Sequence, residues 1–210
     1  MNVVEPKLFQ GAYAVDEMRP QKQDARSASF KRWNTGLDSL MYRSSLAPKI
    51  EIHKGYRIAS IKLHDEVGSG FESNHFRSAL QQLGRYDMLY AVLDASGGSV
   101  FDAWVIYDYL KSGPASRYPS LVLITGQCSG IAVLLALGFQ QILMRPYAYM
   151  RFERIKLTNA DAGRRASLLM AKLIARHAGC DRDKVFNWMR NHYTFTAKQC
   201  LKHHLCHAIV

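Results

Sequence analysis

Apolar and polar positions fall into a regular pattern near residue 57, and the pattern persists to the end of the chain. In "YRIASIKLH" Ile58, Ile61 and Leu63 stand among polar neighbours, as in a half-buried strand. "GFESNHFRSALQQLG" follows, with Ser73 as a candidate cap, Phe76, Leu80 and Leu83 as an apolar stripe, and Gly84 as a stop. "MLYAVLDA" is a continuous apolar run, the mark of a strand buried on both faces. After "SGGSV", the run "FDAWVIYDYLKSG" sets Ala103, Ile106, Tyr107 and Leu110 at helical spacing and ends at Gly113. "SLVLIT" repeats the buried-strand pattern, "GQCSG" makes a turn, and Ile131 to Leu137 opens a wholly apolar helix. "QQILMRPYAYMRF" contains two more short strand-like runs. Beyond residue 158, "ADAGRRASLLMAKLIARHAG" and "DRDKVFNWMRNH" are helical, with mixed apolar and basic faces. "TFTAKQCLKHHLCHAIV" then reads as a helix capped by Thr196 and closing in a short strand. Strands alternating with helices predict βαβ crossovers and a mostly parallel sheet, an α/β fold.

Residues 1 to 50 are of another character. "EMRPQKQDARSASFKRW" is polar, carries Pro20 and holds no period, so an irregular N-terminal arm is expected ahead of one domain over 51–210. Composition narrows the class further. A 48% hydrophobic and 11% aromatic chain of 210 residues fills a real core and is not disordered in bulk. Its longest apolar stretch falls far short of the ~20 residues of a membrane span. "MNVVEPKLFQ" lacks the basic and apolar regions of a secretory signal, so a cytoplasmic location is expected. Four cysteines without regular spacing agree with a reducing compartment. The formal charge of +11 is uneven: from Arg145 onward 13 Lys or Arg face 4 Asp or Glu. No aromatic-interleaved basic motif accompanies them, so the reading is a solvated helical face rather than a nucleic-acid surface.

The candidate chemistry sits in two glycine turns, "DASGGSV" and "TGQCSGIA", each following a buried strand. In a parallel sheet both turns lie on the rim at the strands' carboxyl ends, where ligands bind. Each opens a helix whose free N–H groups favour anionic oxygen, so the pair could hold a carbonyl oxygen as it becomes negative in acyl transfer. The plainer alternative is that Gly97, Gly98 and Gly126 only permit tight turns. Ser129 is a small polar residue at a strand-to-helix turn, where several hydrolases keep a nucleophile. Cys128 reads as a small buried hydrophobe, although a helix N-terminus beside it would lower its pKa.

At these residues the chain resembles the proteolytic subunit of Clp protease. "LDASGGSVFDAWVIYDYL" is similar to that family's strand, Ser-Pro-Gly-Gly-Ser-Val and following helix. "TGQCSGIAVLLALG" resembles its nucleophile segment, Gly-Gln-Ala-Ala-Ser-Met with a Leu-Leu-Ala-Ala-Gly helix. "RPYAYMRF" and "FTAKQCLKHHLCHAIV" look like its histidine-bearing strand, shortened, and its C-terminal ending. The order is colinear from about Arg57 to Val210, and the enoyl-CoA hydratases (crotonases) share the superfamily. The resemblance implies a ββα superhelix with a mostly parallel sheet core and a C-terminal helical section. It also implies homo- or hetero-oligomeric rings with interlocking helical handles, peptide or unfolded protein as ligand, a possible ATPase partner, and no cofactor.

The departures bear on function. Counted back from Gly138, Ser129 matches the family's nucleophile; counted forward from Gly126, Gly130 does. The family histidine falls near Arg151 to Glu153, and no histidine stands between residues 76 and 176. Arginine stays protonated and cannot take a hydroxyl proton. Glu153 is therefore a weak candidate base, and His192 in "RNHYTF" a second, relocated one. The family aspartate falls near Trp188, where no carboxylate matches. Gly97 and Gly98 match the oxyanion loop, with Gly130 or Ile131 as the second donor. "CLKHHLCH" holds Cys200, His203, His204, Cys206 and His207 without a standard zinc spacing, and packing accounts for it without metal. Three readings stay open. They are a catalytically degenerate Clp-like subunit for assembly or peptide binding, a serine hydrolase using Ser129, and a crotonase-like acyl-thioester enzyme.

Overall fold

The structure is a computed structural model and describes residues 48–69 and 71–210. The described residues lie in one unit, Ser45–Val210, and nearly all of the arm expected over residues 1–50 lies outside them. Regular structure begins earlier than the pattern indicates. A strand β1 (Lys49–His53) precedes β2 (Tyr56–Val67) and pairs with it antiparallel through a tight turn at Lys54 and Gly55. With only five residues and its Ile52 exposed, β1 carries an Ile50/Ile52 alternation too short to mark it.

Helix α1 (Ser73–Gln82) leads to β3 (Met88–Gly98), then α2 (Val100–Lys111) and a short 3-10 turn at Pro114–Arg117. Ser73 does not cap α1: Glu72 takes that place without a side-chain bond, and the Ser73 N–H donates to Asp102 Oδ1 at 2.9 Å. Next come β4 (Ser120–Ser129), α3 (Ile131–Gly138), β5 (Gln141–Met144) and β6 (Tyr149–Arg151). The C-terminal section holds α4 (Ala160–Ala178), α5 (Arg182–Arg190), β7 (Thr194–Thr196), α6 (Ala197–Lys202) and β8 (Ala208–Ile209). Thr196 caps α6 in a capping box with Gln199, as its sequence predicts.

The sheet runs β1-β2-β3-β4-β5-β8, parallel from β2 onward. In β3 and the first half of β4 successive residues on both faces are buried, which explains their unbroken apolar runs. Each fully buried Leu or Ile here contributes roughly 1.5–3 kcal/mol. Helix α3 is buried on every side, so its sequence carries no polar face. The residues of the Cys/His stretch are dispersed through the packing. The Cys200 and Cys206 thiols meet the Phe195 and Ala197 carbonyls, His203 stacks on Phe195, and His207 Nδ1 accepts the Ile142 N–H at 3.0 Å.

Candidate functional site

The site is built by β4 changing partners along its length. Leu121–Ile124 pair with β5, whereas Gln127–Ser129 pair with β6. The β3–β4 register is irregular between Leu93 and Ala95, at the same level. Gly126 lies against the Asp94 carboxylate so closely that a Cβ there would stand 2.6 Å from Oδ2. Asp94 Oδ1 accepts the Gln127 N–H at 2.9 Å, which holds the start of the second pairing in place. Strand pairing thus runs on to Ser129, beyond the point where "TGQCS" reads as a turn.

The chain turns at Gly130. Its φ of +55° and ψ of −125° are a conformation that a residue with a side chain adopts only under strain. Gly130 precedes α3, and its own N–H donates to the Arg151 carbonyl at 2.9 Å. A Cβ on Gly130 would lie 3.5 Å from Glu153 Oε2 and 4.0 Å from Gly97 Cα. The space in front of the turn is therefore bounded by a carboxylate on one side and the glycine loop on the other. A Cβ on Gly97 would in turn stand 3.7 Å from the Ser129 carbonyl oxygen. Gly98, at φ +114°, lies against the Val67 backbone, with which a side chain would collide.

The β6 alternation supplies the carboxylate. Met150 and Phe152 are buried, while Arg151 and Glu153 between and after them reach solvent. Arg151 Nε and Glu153 Oε1 form an ion pair at 2.9 Å. Both partners are part-exposed, so the pair contributes at most about 1 kcal/mol to stability. Its consequence is geometric: one carboxylate oxygen is engaged and the other is left toward the turn. Opposite, Ile131 is the first residue of α3, and the N–H groups of a helix's first turn have no intrahelical acceptor.

Gly97, Gly130 and Glu153 are thus brought to one spot, and Ile131 follows Gly130 in the chain. The expected donor role of Gly130 is corrected, because its N–H is engaged by Arg151. Ser129 is the last residue of β4, buried at 5% exposure. No histidine or carboxylate among the described residues is hydrogen-bonded to its hydroxyl. His192, at φ +55° in the turn after α5, lines a cavity to which neither Ser129 nor Gly130 contributes. Burial pushes the Cys128 thiol well up, with Cys200 and Asp94 adding to the effect, so proximity to a helix start does not activate it. Among the described residues no three His, Cys, Asp or Glu side chains are grouped to hold a metal ion. The Arg151–Glu153 pair and the Asp94 brace were not identified from sequence. Their signals are the alternation in "YMRFE" and the single acid ending an apolar strand.

No protein-family model and no curated protein sequence matches the chain. Solved structures do. ClpP1 from Listeria monocytogenes superposes with a TM-score of 0.64 at 14% identity, over 72% of this chain and 90% of that one. An asparagine-to-aspartate mutant of the same Listeria protein gives 0.66 at the same identity and coverage. The chain therefore has a Clp-protease-like fold, a mixed α/β architecture with a mostly parallel sheet. Among the described residues no helix is long and apolar enough to cross a membrane.

Proposed function

We propose that the chain is a catalytically degenerate Clp-type subunit, whose role is assembly with other subunits or the holding of an extended peptide. The observation that carries this reading is the residue at the strand-to-helix turn. Where a serine hydrolase presents its nucleophile, this chain has Gly130, which has no side chain, and the group facing it is the Glu153 carboxylate. Ser129 stands one residue earlier, within the paired strand. A hydroxyl without a proton acceptor is a poor nucleophile, so a carbonyl held at Gly97 and Ile131 would be bound without being driven to cleavage. Fluorogenic peptide hydrolysis tests this, with size-exclusion chromatography on the same samples. The expected result is no turnover by either the native chain or Ser129→Ala, with both in the same oligomer. Turnover lost in Ser129→Ala while the oligomer persists would overturn the reading.

One observation favours a second reading. A carboxylate oxygen beside an amide cradle is also the equipment for moving a proton next to an activated carbonyl. A crotonase-like acyl-thioester enzyme would use Glu153 in that way. Calorimetry with acetyl-CoA separates the two: binding that Glu153→Gln abolishes supports the thioester reading, and no binding removes it.

A further inference from the structure

After β6 the chain does not enter α4 directly. Residues 152–159 form a connection without helix or strand, fastened to α4 where Ser167 Oγ accepts the Ile155 N–H at 2.9 Å and donates to the Gly163 carbonyl at 2.8 Å. Ile155 is buried, whereas Arg154 and Lys156 on either side of it are exposed. Between this segment and helices α4 and α5 lies a cavity of about 580 Å³, a volume in the usual range for small-molecule sites. Arg164 of α4 and Arg190 of α5 join Arg154 and Lys156 in its wall, while Leu157 and Phe186 supply apolar surface. Asp161 is the single carboxylate there, and none of the four cations is in an ion pair among the described residues.

A merely solvated basic face would spread its cations over convex surface and match many with acids. Here three guanidinium groups and an ammonium group from three separate chain segments line one concavity, with Asp161 as the single carboxylate among them. Guanidinium forks pair bidentately with phosphate and carboxylate oxygens, and several on one ligand favour a multiply charged anion. The aromatic ring of Phe186 and the Leu157 side chain offer a surface for an apolar or aromatic body beside that anion.

We infer that this cavity is a binding site for a small ligand carrying two or more phosphoryl groups beside an apolar or aromatic body. The site is distinct from the turn at Gly130 and does not depend on whether that turn is catalytic.

Titration calorimetry on the full chain tests the inference with three probes: pyrophosphate for the charged head, adenosine for the body, and ADP for both. ADP is expected to bind saturably and more tightly than pyrophosphate, with adenosine weakest. Arg154→Ala/Arg190→Ala is expected to weaken ADP by about tenfold or more, since each lost charge-assisted bond has a large effect. Arg190→Lys should retain part of the affinity, and Arg117→Ala, on the remote 3-10 turn, all of it. Circular dichroism confirms that each variant is folded; if the double variant is not, Arg190→Ala alone carries the comparison. Absence of saturable ADP binding, or equal weakening by Arg117→Ala, would overturn the site. Equal affinity for ADP and pyrophosphate would overturn the role given to Leu157 and Phe186.

Discussion

Substituting Gly130 by alanine isolates the geometry on which the site depends. The added Cβ meets no hard obstacle: its nearest neighbours would be Glu153 Oε2 at 3.5 Å and Gly97 Cα at 4.0 Å, both ordinary contacts. The whole cost therefore comes from the backbone. Holding a residue with a side chain at φ +55°, ψ −125° costs on the order of 1–3 kcal/mol. Alanine also removes freedom from the unfolded chain, which at a compatible site would stabilise by about 0.4–1 kcal/mol. The net expectation is a loss of about 1–2 kcal/mol, with the denaturant slope unchanged. Urea unfolding followed by far-ultraviolet circular dichroism measures it. A stabilised variant would mean that Gly130 does not hold this conformation. A loss much above about 3 kcal/mol would mean a clash that the structure does not contain, and the account of the turn would fail either way.

Two further outcomes follow from buried polar groups. His177 is pushed down to about 4 by burial first and by His207, Lys111 and His204 second, and its Nε2 is buried without a hydrogen-bond partner. A histidine whose folded pKa lies below its ordinary 6.5 leaves the unfolded chain binding the extra proton. Its contribution is complete above about pH 6.5 and is lost as pH falls toward 4, up to about 3 kcal/mol. Unfolding across this range should be shallower in pH for His177→Gln than for the native chain, and parallel profiles would contradict the burial. Ser167→Ala should cost about 1–3 kcal/mol, because the buried Ile155 N–H loses its acceptor. Hydrogen exchange should show the Ile155 amide losing protection; unchanged protection would mean that this bond does not fasten the segment.

The parts legible in the sequence are those governed by local burial. "MLYAVLDA" and "SLVLIT" announce buried strands because every side chain meets apolar partners. "TFTAKQ" announces its helix because a capping box lies wholly within four residues. What escaped depends on distant pairing. The residues "GQCS" read as a turn, yet Gln127 to Ser129 are strand because β6 pairs with them from more than twenty residues away. That extension puts Ser129 within the strand and Gly130 at the turn before α3. The position of Glu153 was equally hidden, since only the fold brings its Oε2 across from Gly130. The strand β1 escaped for another reason: it gains its order from backbone pairing with β2, with little apolar burial to mark it.

The central claim is that a hydrolase-like turn survives here without a reactive hydroxyl. Treating the native protein with a fluorophosphonate and reading the modified residues by peptide mass spectrometry tests it most directly. The account predicts that Ser129 carries no adduct under conditions that fully label an active serine hydrolase. A phosphonylated Ser129 would show an activated nucleophile and contradict it.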